Sequence, residues 1–119
     1  MCFFQDAEGR APVREWLREL QRSDPRAHAD CVARIERLSE LGHELRRPEA
    51  DFVRDGHLEL RARRGRVNYR VLYLFHGRNR AVLVEAFTKE GGIPRVHLQR
   101  AFHRRAAYLQ DPLTHTHRD

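Results

Sequence analysis

Between Gly56 and Lys89 the chain reads GHLELRARRGRVNYRVLYLFHGRNRAVLVEAFTK, three strand-like segments joined by two tight turns. Leu58, Leu60 and Ala62 alternate with Glu59, Arg61 and Arg63, the period of a half-buried strand. Val67 to Phe75 becomes apolar on both faces in its second half, which suits a central strand covered on both sides. Ala81 to Thr88 supplies a third strand, with turns at Gly65 and at Gly77-Arg78-Asn79. Arg61, Arg63, Arg70 and Lys89 place fixed cations on this small antiparallel sheet. Such a surface calls for an anionic partner, and in a chain this small and basic RNA is the first candidate.

The flanking segments read as helices that cover the sheet. Cys2 to Gln5 suits a short opening strand. Pro12 fits a first helical turn, and Val13, Trp16, Leu17 and Leu20 follow the spacing of one buried helix face. Ser23-Asp24-Pro25 ends that helix and starts another, with Ser23 or Asp24 as cap. Cys31, Val32, Ile35 and Leu38 mark its inner face, and it stops near Gly42. Residues 43 to 57 read as a polar loop. Gly91, Gly92 and Pro94 break the chain after the third strand, and a last helix over 95–109 turns Leu98, Ala101, Phe102 and Leu109 inward. The order βααβββα predicts an α+β domain, an N-terminal helical hairpin packed on a small antiparallel sheet with a C-terminal helix. Residues 1–111 form one domain on this reading, and 112–119 a loose tail.

The net charge of +6 leaves a nucleic acid, an acidic protein or a solvated basic surface as explanations. The cations are 22 arginines and one lysine, Lys89, a bias that fits genome composition as much as function. Cys2 and Cys31 have no metal-ligand spacing and read as free thiols of a reducing cytoplasm. No signal peptide is visible, and the longest apolar run, Val71 to Phe75, is far too short for a bilayer. A cytoplasmic protein without membrane contact is expected.

The ordered set Arg47-Pro48, Asp55-Gly56, Leu58-Glu59-Leu60-Arg61, Tyr69-Arg70-Val71-Leu72-Tyr73, Phe87-Thr88-Lys89 and Pro94 resembles the RelE/ParE superfamily of bacterial type II toxins. Gly9 to Val13, Trp16-Leu17 and the last helix around Ala101 fit as well. The likeness spans roughly residues 3 to 109 and is to the HigB-like, phage-derived branch. It implies a RelE-like fold and a ribosome-dependent endoribonuclease that cuts messenger RNA. It also implies a cognate antitoxin, usually a small helix-turn-helix protein. This branch usually has a second lysine after the position of Lys89; here the loop is Glu90-Gly91-Gly92-Ile93. Two other readings remain open: a ParE-like toxin that inhibits gyrase by contact, and a decayed toxin that only binds its antitoxin.

RNA can be cut without metal, because its own 2′-hydroxyl attacks the adjacent phosphorus. The protein must then stabilise charge at phosphorus and move two protons. Arg61 and Arg70 are the expected phosphate ligands, matched by family position, with Arg63 beside them as an RNA contact or a solubilising cation. Lys89 is the expected proton-transfer or phosphate group, since a neighbouring cation can lower the pKa of a lysine usefully but not that of an arginine. His97, early in the last helix, is an acid/base candidate or a surface histidine, and His57 is the runner-up. Tyr73 either stacks on a base or packs in the core. Arg100 and Arg104 share a helix face that holds RNA backbone, meets an acidic antitoxin segment, or is solvated. His115-Thr116-His117 is half a metal site at most, so no metal and no cofactor are expected.

Overall fold

The computed structural model describes residues 1–89 and 92–117. The elements are β1 (Cys2–Phe4), α1 (Pro12–Ser23), α2 (Pro25–Leu41), β2 (Ala50–Arg54), β3 (His57–Arg64), β4 (Val67–His76), β5 (Arg80–Lys89), α3 (Arg95–Gln110) and β6 (Thr116–His117). A short 3-10 turn at Gly42–Glu44 follows α2. The fold is α+β, three helices on a six-stranded sheet of order β2-β3-β4-β5-β1-β6. The sheet is mixed, because β1 runs parallel to β5.

Local chemistry explains the boundaries. Pro12 and Pro25 open α1 and α2, and the Asp24 carboxylate accepts the Ala27 N–H at 3.1 Å. Val13, Leu17 and Leu20 of α1 and Ala27, Cys31, Ile35 and Leu38 of α2 turn to the sheet and meet Leu60, Ala62, Tyr69, Val71, Tyr73, Leu83 and Ala86. The other sheet face packs Leu72, Leu74, Val82, Val84 and Phe87 against Ala101 and Tyr108 of α3. Between Leu72 and Tyr73 the β4–β5 pairing shifts, from Leu72 opposite Glu85 to Tyr73 opposite Leu83. Val84 is the extra residue of this bulge.

Several expectations change. The segment 43–57 contains β2, which pairs antiparallel with β3 across an Asp55-Gly56 turn whose two residues have φ of 51° and 79°. Two successive positive φ values make the turn that matches strand twist, and Asp-Gly is among its preferred pairs. The tail after Pro112 does not hang free over 112–117. Thr116–His117 pairs with β1, the His115 ring stacks on Phe4, and Nδ1 of His115 donates to the Gln5 carbonyl at 2.8 Å. Arg118 and Asp119 lie outside the described residues, as do Glu90 and Gly91 of the loop after Lys89. Leu109 of α3 is exposed, and Tyr108 takes the inner position with its hydroxyl 3.0 Å from Nδ1 of His76. Both cysteines are buried and neither forms a disulfide among the described residues, and burial first, then Asp30, pushes the Cys31 thiol up to about 12. Among the described residues no helix is long and apolar enough to cross a membrane.

Candidate nucleic-acid interface

Cross-strand register, rather than sequence neighbourhood, assembles the site. In an antiparallel sheet directly opposed residues share a face. Arg61 of β3 lies opposite Arg70 of β4, Arg70 lies opposite Phe87 of β5, and Asn68 lies opposite Lys89. All these side chains therefore rise from the sheet face away from the α1–α2 hairpin. Arg34 of α2 fixes the β3 backbone there by donating to the Arg61 carbonyl at 3.0 Å.

A buried carboxylate organises the cations. Glu59, two residues before Arg61 on β3, is 4% exposed. Its Oε1 accepts Nε of Arg61 at 2.8 Å and lies 3.6 Å from Nε of Arg70, while Oε2 is buried with no hydrogen-bond partner among the described residues. Arg61 also reaches Oδ2 of Asp51 on β2 at 3.3 Å, and that carboxylate is held on its far side by Arg47. Arg70 is the more enclosed arginine, its side chain 12% exposed. Its Nη1 donates to the Tyr69 carbonyl at 3.2 Å, but among the described residues Nε has no hydrogen-bond partner. At 3.6 Å the approach to Glu59 is too long to supply one. Burial pushes the ionisation of Arg70 down, Glu59 opposes this, and Arg61 adds to it. Burial, then Arg70, pushes the Lys89 ammonium below its usual range; Glu59 pulls the other way and Arg61 adds to the depression.

A second buried carboxylate lies on the same face. Glu85, 5% exposed, accepts Nη1 of Arg104 at 2.8 Å and faces Nδ1 of His97 at 2.9 Å. Nη1 of Arg100 stands 3.6 Å from the same carboxylate. The His97 ring lies flat on Phe87, centroids 4.2 Å apart at 7°.

The expected site residues thus divide. Arg61, Arg70 and Lys89 converge, and His97 joins their face through Phe87. Arg63 is exposed at the end of β3 and bends back to the Gly65 carbonyl at 2.9 Å. Tyr73 lies on the hairpin face, 0% exposed and edge-on to Phe75, so it packs in the core and offers no ring to a base. Arg104 is held inward, bonding the Val84 carbonyl as well as Glu85, whereas Arg100 is half exposed. His57 is covered by α3, its ring against Phe102, and burial pushes its pKa down, so it is a neutral interior group. The nearest charge to His97 is Glu85 and not the start of the helix. Glu59 and Glu85 are the residues that sequence reading passed over. Strand alternation did put Glu59 on the Arg61 face, while no residue pattern marks Glu85. The apolar hollow lined by Leu45, Ala50, Phe52 and Leu58 belongs to the hairpin side of the sheet and takes no part.

The arrangement can hold a phosphate between two guanidinium groups beside an ammonium of lowered pKa. Among the described residues no three metal-ligating side chains gather. No curated protein sequence matches the chain. A family model described as "Phage derived protein Gp49-like" matches residues 15–106, from α1 through most of α3 and across the whole cation face. With that span matched, the chain belongs to the Gp49-like phage-derived proteins, a toxin-like family of toxin–antitoxin systems.

Proposed function

We propose that this protein is the toxin of a toxin–antitoxin pair and that it cuts ribosome-bound messenger RNA without a metal. The observation that carries this reading is Arg70, an enclosed guanidinium whose Nε has no partner among the described residues, directly opposite a second arginine. Burying a charge whose donors are not all used is costly unless a ligand completes the pairing. A phosphodiester does so, since its oxygens match the guanidinium fork.

With a phosphate seated between Arg61 and Arg70, the adjacent 2′-oxygen attacks phosphorus and the P–O5′ bond breaks. The arginines stabilise the added charge at phosphorus. Lys89 is the member of the cluster whose lowered pKa allows it to take the 2′-hydroxyl proton, which an arginine does not do. Glu59 keeps the two arginines at their separation.

Tightly controlled expression followed by mapping of messenger 5′ ends tests the reading. Cuts inside translated frames, with arrest of translation, are expected. Growth arrest with a DNA-damage response and no new 5′ ends would replace it with gyrase inhibition. Undisturbed growth with folded protein would replace it with a toxin that only binds its antitoxin.

A further inference from the structure

We propose that Glu85 is a positioning residue for His97, and that His97 delivers the proton to the departing 5′-oxygen; the second half rests on the RNA-cleavage reading above. Glu85 needs partners because a buried carboxylate is costly unless hydrogen-bonded. Its Oε1 is already served twice, by Nη1 of Arg104 at 2.8 Å and by the Ala86 N–H at 3.2 Å. Arg100 stands 3.6 Å from Oε2, so two guanidinium groups cover the charge before His97 is counted. A histidine is not required to neutralise Glu85, yet its Nδ1 sits 2.9 Å from Oε2.

That contact decides which nitrogen exchanges protons. An ionised carboxylate only accepts, so Nδ1 carries a hydrogen and donates it. The ring is also pinned flat on Phe87. Nε2 is left as the exchanging nitrogen, with no protein hydrogen-bond partner among the described residues. Phe87 is the cross-strand partner of Arg70, which puts the imidazole one side chain from the phosphate cluster on the same face. The charges around the ring are Glu85 from β5, Arg100 and Arg104 from α3, and Arg70 and Lys89 from the sheet.

The step balances. As the 2′-oxygen–phosphorus bond forms and the P–O5′ bond breaks, the imidazolium passes its Nε2 proton to O5′. The product ring is neutral, still holding the Nδ1 hydrogen on Glu85, and Nε2 regains a proton from water.

Two measurements on the full chain test this. The first reads the His97 tautomer by ¹⁵N–¹H long-range NMR and requires no cleavage. In wild type the neutral ring should carry its proton on Nδ1. In Glu85→Gln the amide oxygen should take the place of Oε1, where two donors await it. The amide NH₂ then faces Nδ1, which must accept, so the proton should move to Nε2. Wild-type His97 protonated on Nε2, or one tautomer in both proteins, would overturn the positioning role. The second measurement compares ordinary ribosome-bound mRNA with mRNA carrying sulfur in place of one bridging 5′-oxygen, since a thiolate leaves without a proton. His97→Ala and Glu85→Gln should lose about a hundredfold or more on ordinary mRNA and return to within about tenfold of wild type on the sulfur substrate, the scale of lost acid catalysis. Arg70→Ala should not be rescued. Equal losses on both substrates would overturn proton delivery by His97. Failure of wild type to cut either substrate would sink the RNA-cleavage reading and proton delivery with it, leaving the tautomer spectra to decide the role of Glu85.

Discussion

At the residue scale the cations are not interchangeable. Arg70 is enclosed and incompletely paired, Arg61 is shared between Glu59 and Asp51, and Arg63 is spent on its own turn. Removing Arg70 therefore removes the group most committed to a phosphate. Arg70→Ala is expected to lower cleavage by about a hundredfold or more, the usual effect of deleting one preorganised donor, with the circular dichroism spectrum unchanged. Full toxicity at equal protein level would take Arg70 out of the site. Lys89 permits a finer distinction. Lys89→Arg keeps the charge but not a usable proton, so single-turnover cleavage should fall nearly as far as in Lys89→Ala. Near-normal cleavage by Lys89→Arg would make this residue a fixed charge only.

At the scale of elements, β2 is tied to the site by ion pairs as well as by its ladder to β3. The Arg47 hydrogen bond holds the Asp51 carboxyl below its ordinary value of 3.8, with help from the Phe52 N–H and Arg61. The Arg37 hydrogen bond does the same for Glu49, whose ordinary value is 4.5. A carboxylate with a depressed native pKa contributes stability above its unfolded pKa and loses it as pH falls through the native one. Wild type should therefore melt higher than Asp51→Asn at neutral pH, and the gap should close only as pH drops below 3.8. A gap unchanged across that range would show that Asp51 acts by shape and not by charge. The same strand shows where sequence reading stopped. The helices and three long strands were legible because their apolar residues recur at helical or alternating spacing. β2 was not, because Asp51 and Arg54 make it look like loop, although Asp55-Gly56 is a strong hairpin signal. The convergence of Arg61 and Arg70 was legible in part, since both were placed on adjoining strands, but their register is a tertiary fact. For Tyr73 the sequence leaves both a base platform and a core position open, because in a strand covered on both sides type alone does not say which face a tyrosine takes.

At the scale of the molecule, two layers cover two sheet faces unequally. The helical hairpin covers most of one face and leaves Phe52 of β2 exposed at its edge, while α3 covers part of the other and leaves the cations beside it. With a net charge of +6, the protein should be drawn to an acidic partner and to RNA alike. We expect an antitoxin encoded beside this gene, one that co-purifies with the protein at moderate salt and restores growth. A neighbouring candidate that does neither would contradict the pairing. The bulge at Val84 gives β5 two phases. Before it, even-numbered residues point toward α3; after it, odd-numbered ones do, which is how Glu85, Phe87 and Lys89 come to share a face with Arg70. Deleting Val84 would only restore a regular ladder, with all three still on that face, whereas deleting Ala86, one residue beyond the bulge, would turn Phe87 and Lys89 to the hairpin side, taking the lysine from the phosphate cluster and the stacking ring from His97 together. Two parts of the proposed chemistry thus depend on a single count along one strand, and the bulge decides where that count is tolerant: a one-codon loss at Val84 should spare cleavage, while one at Ala86 should abolish it.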